Sequence, residues 1–331
     1  MNASRAVFSL LILALAPTLV SAQDRPPAPL AQTTPTAPAP ASEPAERQVR
    51  KTVVFITMHC LRGDQPITAQ GTGFFIQVPD SRLPADRNFG YLVTNRHMAE
   101  CWDDGRNPMP VQAVTLRMNM TDGSSQEFTV PGNFPWILPK KDSVDLAIVP
   151  MAPDSTKCDY RTIPDSIFVT DDVAKKESVS EGLKIIFSGF FYQVPGLKHV
   201  EPIIREGVIA MLPDEDLQTT TGKMGRVYLG EVHAFHGNSG SPVFVDFSGV
   251  RGGAFRFGQD YRLLGVVSGG YGEGEQNALV LETPLASKPG NSGIAVIVPA
   301  SELRALLDEP GAVALRDAEI ARLVQGAKKR D

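Results

Sequence analysis

Short apolar, β-branched runs separated by Gly, Pro, Asp and Asn fill the chain from Thr52 onward. The pattern predicts strands over Thr52 to Cys60, Gly71 to Val78, Tyr91 to Thr94, Val114 to Met118 and Asp145 to Val149. A second set covers Leu183 to Phe187, Val208 to Met211, Val227 to Gly230, Pro242 to Phe247, Leu263 to Ser268, Ala278 to Glu282 and Gly293 to Val298. Many short strands with few helices predict a sandwich or barrel. Residues 155 to 180 are polar and turn-rich, as a crossing between two β units would be. After Pro299 the period changes: Ser301 can cap a helix with Leu303, Leu306 and Leu307 on one face, and Val313 to Val324 can form another after Pro310 and Gly311.

The amino end is different. Arg5, the apolar run Ala6 to Ala16 and the small residues Val20-Ser21-Ala22 predict a signal peptide over residues 1–22, cleaved after Ala22. An uncleaved anchor is the alternative, disfavoured by Pro17 within a short apolar run. From Arg25 to Glu46 the chain is mostly Pro, Ala and Thr, too poor in large apolar side chains to bury a core, so residues 23–49 are expected to form an extended tether. The expected products are a secreted or periplasmic protein and no stable membrane insertion after signal removal.

Composition narrows the function classes. In 331 residues the net charge is -5 and the charged fraction 21%, which gives no basic face for nucleic acid. No glycine loop precedes a helix to cradle a phosphate, and His233, His236 and Cys101 form no compact ligand set, so neither a nucleotide cofactor nor a metal is expected.

The candidate chemistry lies in Gly237-Asn238-Ser239-Gly240-Ser241-Pro242, just ahead of the β-rich Val243-Phe244-Val245. Gly237 and Gly240 leave the backbone free for unusual dihedrals, so the N–H groups of Gly237 and Ser239 could point together at one spot and form an oxyanion hole. A serine nucleophile needs a base and a carboxylate to orient it. A lipase-type elbow fits poorly, because position five is Ser241 and strand rather than helix follows.

The hexapeptide is similar to the nucleophile motif of chymotrypsin-fold serine peptidases, especially the bacterial trypsin-like and glutamyl-endopeptidase branches. Upstream, Tyr91-Leu92-Val93-Thr94-Asn95-Arg96-His97-Met98-Ala99-Glu100 resembles that family's histidine motif, with Arg96 in place of its usual alanine. Asp145-Leu146-Ala147-Ile148-Val149-Pro150 resembles its aspartate entering an apolar strand, with Asp142 as the rival carboxylate. Over residues 50 to 300 the resemblance implies an all-β fold of two six-stranded antiparallel barrels, residues 50–160 and 161–300, and a helical segment over 301–331. It implies a serine endopeptidase acting on polypeptides, in which Ser239 attacks, His97 moves the proton and Asp145 orients the imidazole. A barrel protein that has lost catalysis and serves as a binding scaffold is the alternative from another class.

Further roles follow by resemblance alone. Gly71-Thr72-Gly73-Phe74 would be a strand ending near the cleft, Ser268-Gly269-Gly270 the wall that pairs with substrate backbone, and His233 a residue near the pocket floor. His233 offers no acid to select Lys or Arg, and Val267 stands where the glutamyl-specific branch has a histidine. Asn238 replaces the aspartate with which digestive relatives hold a newly cut amino terminus. Cys101 would pair with a cysteine on a neighbouring strand, Cys60 being the candidate; three free thiols, with Cys158, is the other reading.

Overall fold

Apolar residues on both sides of a strand require two cores, and the strand Gln65–Pro79 has both: Phe74, Ile76 and Val78 point into one cluster while Phe75 points into another. In the computed structural model the described residues are 44–251, 254–256, 258–272, 279–280 and 291–328. The signal peptide expected over residues 1–22 lies outside them, as do residues 23–43 of the expected tether.

Six strands, β1 (Val53–Arg62), β2 (Gln65–Pro79), β3 (Asn88–Thr94), β4 (Val111–Asn119), β5 (Ser125–Pro131) and β6 (Ala147–Pro150), form an antiparallel sheet in the order β5-β4-β1-β2-β3-β6. A short strand, β7 (Ile163–Pro164), adds in parallel to β2. The second sheet takes β8 (Lys184–Gly189), β9 (Ile203–Met211), β12 (Tyr228–Glu231), β13 (Pro242–Asp246), β16 (Tyr261–Gly272), β17 (Leu279–Val280) and β18 (Asn291–Pro299). Its order is β13-β8-β9-β12-β18-β16, and a β13–β16 ladder closes these six into a barrel. Two hairpins lie apart: β10 (Leu217–Gln218) with β11 (Met224–Gly225), and β14 (Gly249–Arg251) with β15 (Ala254–Arg256). The all-β class, the two antiparallel β units and the closing helices are those the resemblance implies. The first sheet differs in one respect: among the described residues no ladder joins β5 to β6, so its six strands do not close as those of the second do.

The three largest hydrophobic clusters carry most of the core. Val54, Ile56, Met58, Phe75 and Leu92 fill the first unit; Ile185, Phe187, Val243, Val245, Leu264 and Ile297 fill the second. Phe74, Tyr91, Val93, Leu146, Phe244, Leu263, Val266 and Val298 pack between them. Strands serving two clusters are apolar at consecutive positions, which is why Phe74-Phe75-Ile76 and Tyr91-Leu92-Val93 read as continuous runs rather than alternating ones.

Two carboxyl-terminal helices, α4 (Ala300–Leu307) and α5 (Pro310–Lys328), follow a short α1 (Ala45–Arg50), α2 (Arg96–Glu100) and α3 (Asp171–Lys176) in chain order. Leu303, Leu306 and Leu307 join the central cluster, as expected. The cap is different: α4 begins at Ala300 with Pro299 as its N-cap, so Ser301 is a helical residue and caps nothing. Helix α1 falls within the last residues read as tether, and its Val49 is buried in the central cluster. Proline and alanine at the start of that stretch say nothing about one valine that finds a groove.

Candidate active site

The resemblance brings His97, Asp145 and Ser239 from separate stretches of chain, and neighbouring backbone gathers those stretches at the seam between the two sheets. His97 lies in α2, the turn that follows β3, where the apolar strand ends and Asn95 serves as N-cap. Its Nδ1 lies 2.7 Å from Asp145 Oδ2, and its backbone N–H donates to Asp145 Oδ1 at 2.9 Å. Asn95, also buried, donates its side-chain amide to the Asp145 carbonyl at 2.9 Å. The carboxylate is thus fixed at both oxygens and at its own backbone.

Asp145 is wholly buried. Burial pushes its carboxyl up, but the charge of a protonated His97 facing it, together with hydrogen bonds from His97 and Ser268, more than offsets this and holds it below the ordinary carboxylate value. Asp142, by contrast, is an exposed loop charge 3.8 Å from Lys223 Nζ.

Two buried hydroxyls complete the carboxylate's surroundings. Ser268 Oγ donates to Asp145 Oδ2 at 2.5 Å, and Thr220 Oγ1 reaches the same oxygen at 2.7 Å. Ser268 belongs to the wall predicted from sequence, but its side chain turns inward. A register shift between Val267 and Gly269 against β18 skips Ser268 in the pairing and aims its hydroxyl at the carboxylate. Gly269 and Gly270 pair with Val296 and Ala295.

The serine turn is set by backbone. Gly237 and Gly240 have φ of +94° and +85°, conformations that side chains rarely adopt. At Gly240 a Cβ would lie 1.9 Å from the Thr72 carbonyl oxygen, so this position excludes any side chain. Asn238, fully buried, accepts from the Phe235 N–H at 2.8 Å and donates to the Phe190 carbonyl at 2.7 Å. An aspartate would present a second acceptor to that carbonyl, which gives the amide a structural reason of its own.

Thr72 in β2 stitches the turn to the first sheet. Its N–H donates to the Ser239 carbonyl at 2.8 Å, its hydroxyl donates to the Gly237 carbonyl at 2.8 Å, and the Phe190 N–H donates to that hydroxyl. A Cβ on Gly71 would meet both the Met98 side chain and the Ser239 carbonyl, so the same strand passes between the His97 helix and the serine turn. On the other side, Gly240 N–H donates to Val267 carbonyl, next to Ser268 on Asp145. Thr72, Thr220 and Asn95 were not identified as site residues from sequence. The Thr219-Thr220-Thr221 run and the Gly71-Thr72-Gly73 strand were the signals available.

His233 is exposed, its ring against Gly293 and 6.1 Å from the Phe235 ring, so as part of a pocket floor it would be open to solvent. Cys60 and Cys101 form a disulfide with Cα atoms 6.5 Å apart, tying β1 to the end of α2, and Cys158 is a buried free thiol. Among the described residues no group of three or more His, Cys, Asp or Glu could hold a metal ion, and no helix is long and apolar enough to cross a membrane.

No family model matches the chain. No curated protein matches it either. Among solved structures the chain is similar to that described as Deg5, at 16% identity and a TM-score of 0.43 over 78% of this chain and 88% of that one. It is also similar to the MamO protease domain from Magnetospirillum magneticum in its apo form, at 14% identity and a TM-score of 0.44 over 80% of this chain and 100% of that one. Likenesses this distant transfer no residue role and no activity to this chain.

Proposed function

We propose that the chain is a secreted or periplasmic trypsin-like serine endopeptidase that hydrolyses peptide bonds through an acyl-enzyme. Ser239 Oγ attacks the scissile carbonyl while His97 takes its proton; the proton then passes to the leaving amine, and a water repeats the sequence to free the acid. Asp145 keeps the imidazole in the tautomer whose Nδ1–H faces the carboxylate and stabilises the imidazolium. The amides of Gly237 and Ser239 hold the oxyanion, and losing one such donor costs about 10²-fold to 10³-fold in turnover. Ser268, Gly269, Gly270 and His233 border the substrate.

The observation that carries this reading is the His97–Asp145 pair at 2.7 Å around a carboxylate excluded from solvent. A buried carboxylate with no chemical task is costly, whereas one facing an imidazole beside a glycine-set serine turn has a ready use. Incubation with a mixed peptide library tests it: wild type should give defined cleavages and Ser239→Ala none, with the fold retained. No cleavage by either favours the binding scaffold instead, and equal cleavage by both refutes Ser239 as the nucleophile. Sequencing the mature amino terminus from the extracytoplasmic fraction tests export, with Gln23 expected first.

A further inference from the structure

Thr220 sits at the tip of the β10–β11 hairpin, which leaves the second sheet and lies against the approach to Asp145. Three contacts hold the hairpin there. Gly225 abuts Ser143 so closely that a Cβ would lie 2.6 Å from the serine Oγ; Lys223 Nζ lies 3.8 Å from Asp142; and Thr220 Oγ1 lies 2.7 Å from Asp145 Oδ2. Within the tip, Thr219 N–H donates to the Lys223 carbonyl, Gly222 N–H donates to the Thr219 carbonyl, and the Thr219 and Thr221 hydroxyls are 2.9 Å apart. The tip is therefore a folded object, able to hold one hydroxyl in place.

The other side of the hairpin is pinned by the first sheet. Arg106, in the loop following Cys101, donates from Nε to the Thr220 carbonyl at 3.0 Å and lies against Gly222, which has φ of +79°. Arg106 itself has φ of +62°, a strained backbone for a residue with a side chain. The Cys60–Cys101 disulfide anchors the start of its loop.

From this arrangement we infer that Thr220 is a positioning residue for the His97–Asp145 pair, and that Arg106 holds Thr220 against the carboxylate. The inference rests on the peptidase reading for its kinetic consequence, though not for the contact itself. Asp145 Oδ2, Ser268 Oγ and Thr220 Oγ1 form a triangle with edges of 2.5, 2.5 and 2.7 Å. Two hydroxyl hydrogens serve those three edges, so deleting either hydroxyl removes half of the donors there. With one donor gone, negative charge on Asp145 is less dispersed, the carboxylate attracts an imidazolium more strongly, and His97 holds its proton to higher pH. Charged groups on the neighbouring elements are held in contacts of their own. Arg96 and Glu100 neutralise one another on α2, with Trp102 donating to Glu100; Lys223 faces Asp142; and Arg106 stands behind the hairpin tip.

Thr220→Val keeps the side-chain volume and deletes the hydroxyl, and Thr220→Ser restores a hydroxyl without the methyl. In Thr220→Val, kcat should fall roughly tenfold with KM little changed, below the about 10²-fold that a 1 Å misplacement costs. The acid limb of kcat/KM should move up by about half a pH unit, and Thr220→Ser should return both. Arg106→Gln should move the same limb in the same direction by less, and it serves where Thr220→Val does not fold. The His97 imidazole titration, followed by NMR in wild type and in Thr220→Val, should show the same upward shift whether or not the protein turns over substrate. Unchanged turnover, limb and titration in folded variants overturn the inference. A wild type inert to peptides, yet with the His97 shift on losing Thr220, refutes the peptidase reading and leaves the positioning role standing.

Discussion

The two halves of the site are held by different means. Around Asp145, side chains fix side chains: His97, Ser268 and Thr220 all converge on one oxygen of Asp145, and Asn95 secures its backbone. Around Ser239, backbone fixes backbone: Gly237 and Gly240 take left-handed dihedrals, Asn238 and Thr72 bond main-chain groups, and Ser239 is carried along by its carbonyl. The Asp145 half should therefore fail chemically when an atom type changes. The Ser239 half should fail structurally when a side chain is added.

The largest effect should come from Asp145→Asn, which keeps the shape and favours the wrong imidazole tautomer. Turnover should drop by about 10⁴-fold, measured as kcat on a peptide found in library profiling; a loss under tenfold would break the contrast. Gly240→Ala should act on the fold instead, because its Cβ meets the Thr72 carbonyl in a strained dihedral. The expected destabilisation is about 3 kcal/mol, read from the urea midpoint, and an unmoved midpoint would show that the turn is softer than its contacts suggest.

Replacing Cys60 and Cys101 by Ala should cost about 4 kcal/mol, since the bridge spans 41 residues. It should also loosen α2 and thereby lower turnover, whereas a stability loss with unchanged kcat would separate the bridge from the site. Acid titration sharpens the same point. The folded-state pKa of Asp145 is depressed, so its contribution is present above the ordinary value of 3.8 and is lost as pH falls through the lowered one. The stability difference between wild type and Asp145→Asn should accordingly shrink below that value in acid unfolding curves. The smallest response belongs to Cys158, whose thiol burial pushes up to about 11. A thiol reagent at neutral pH should leave it unmodified in the folded protein and label it after denaturation.

Much of the fold was legible because the strands between two cores are apolar on consecutive residues. Tyr91 to Thr94 and Pro242 to Phe247 announce themselves in this way. Strand β5 did not, since Ser125-Gln126-Glu127-Phe128-Thr129-Val130 buries only Phe128 and Val130 and reads as a polar loop. The first half of β9 was hidden for a similar reason, with Arg205 and Glu206 interrupting its apolar residues. Helix α3 lies in the crossing read as irregular; Thr170 accepts from the Val173 N–H and caps it, a local signal present in the sequence.

The site divides along the same line. Residues that neighbours in sequence surround with a motif, such as His97 and Ser239, could be proposed from that motif. Thr220 could not, because its partner lies 75 positions away and no local pattern marks a threonine destined for a carboxylate. Ser268 was named for its position on the pocket wall, while a one-residue slip against β18 decides where its side chain points.

In the proposed reaction His97 activates Ser239. Labelling with a serine-directed phosphonate, followed by intact-mass and peptide mapping, tests it most directly. Wild type should take one label per chain on Ser239, and His97→Ala should label at least a hundredfold more slowly, by the order of magnitude that a positioned general base contributes. Labelling of folded wild type and His97→Ala at the same rate, or no labelling of wild type, would contradict it.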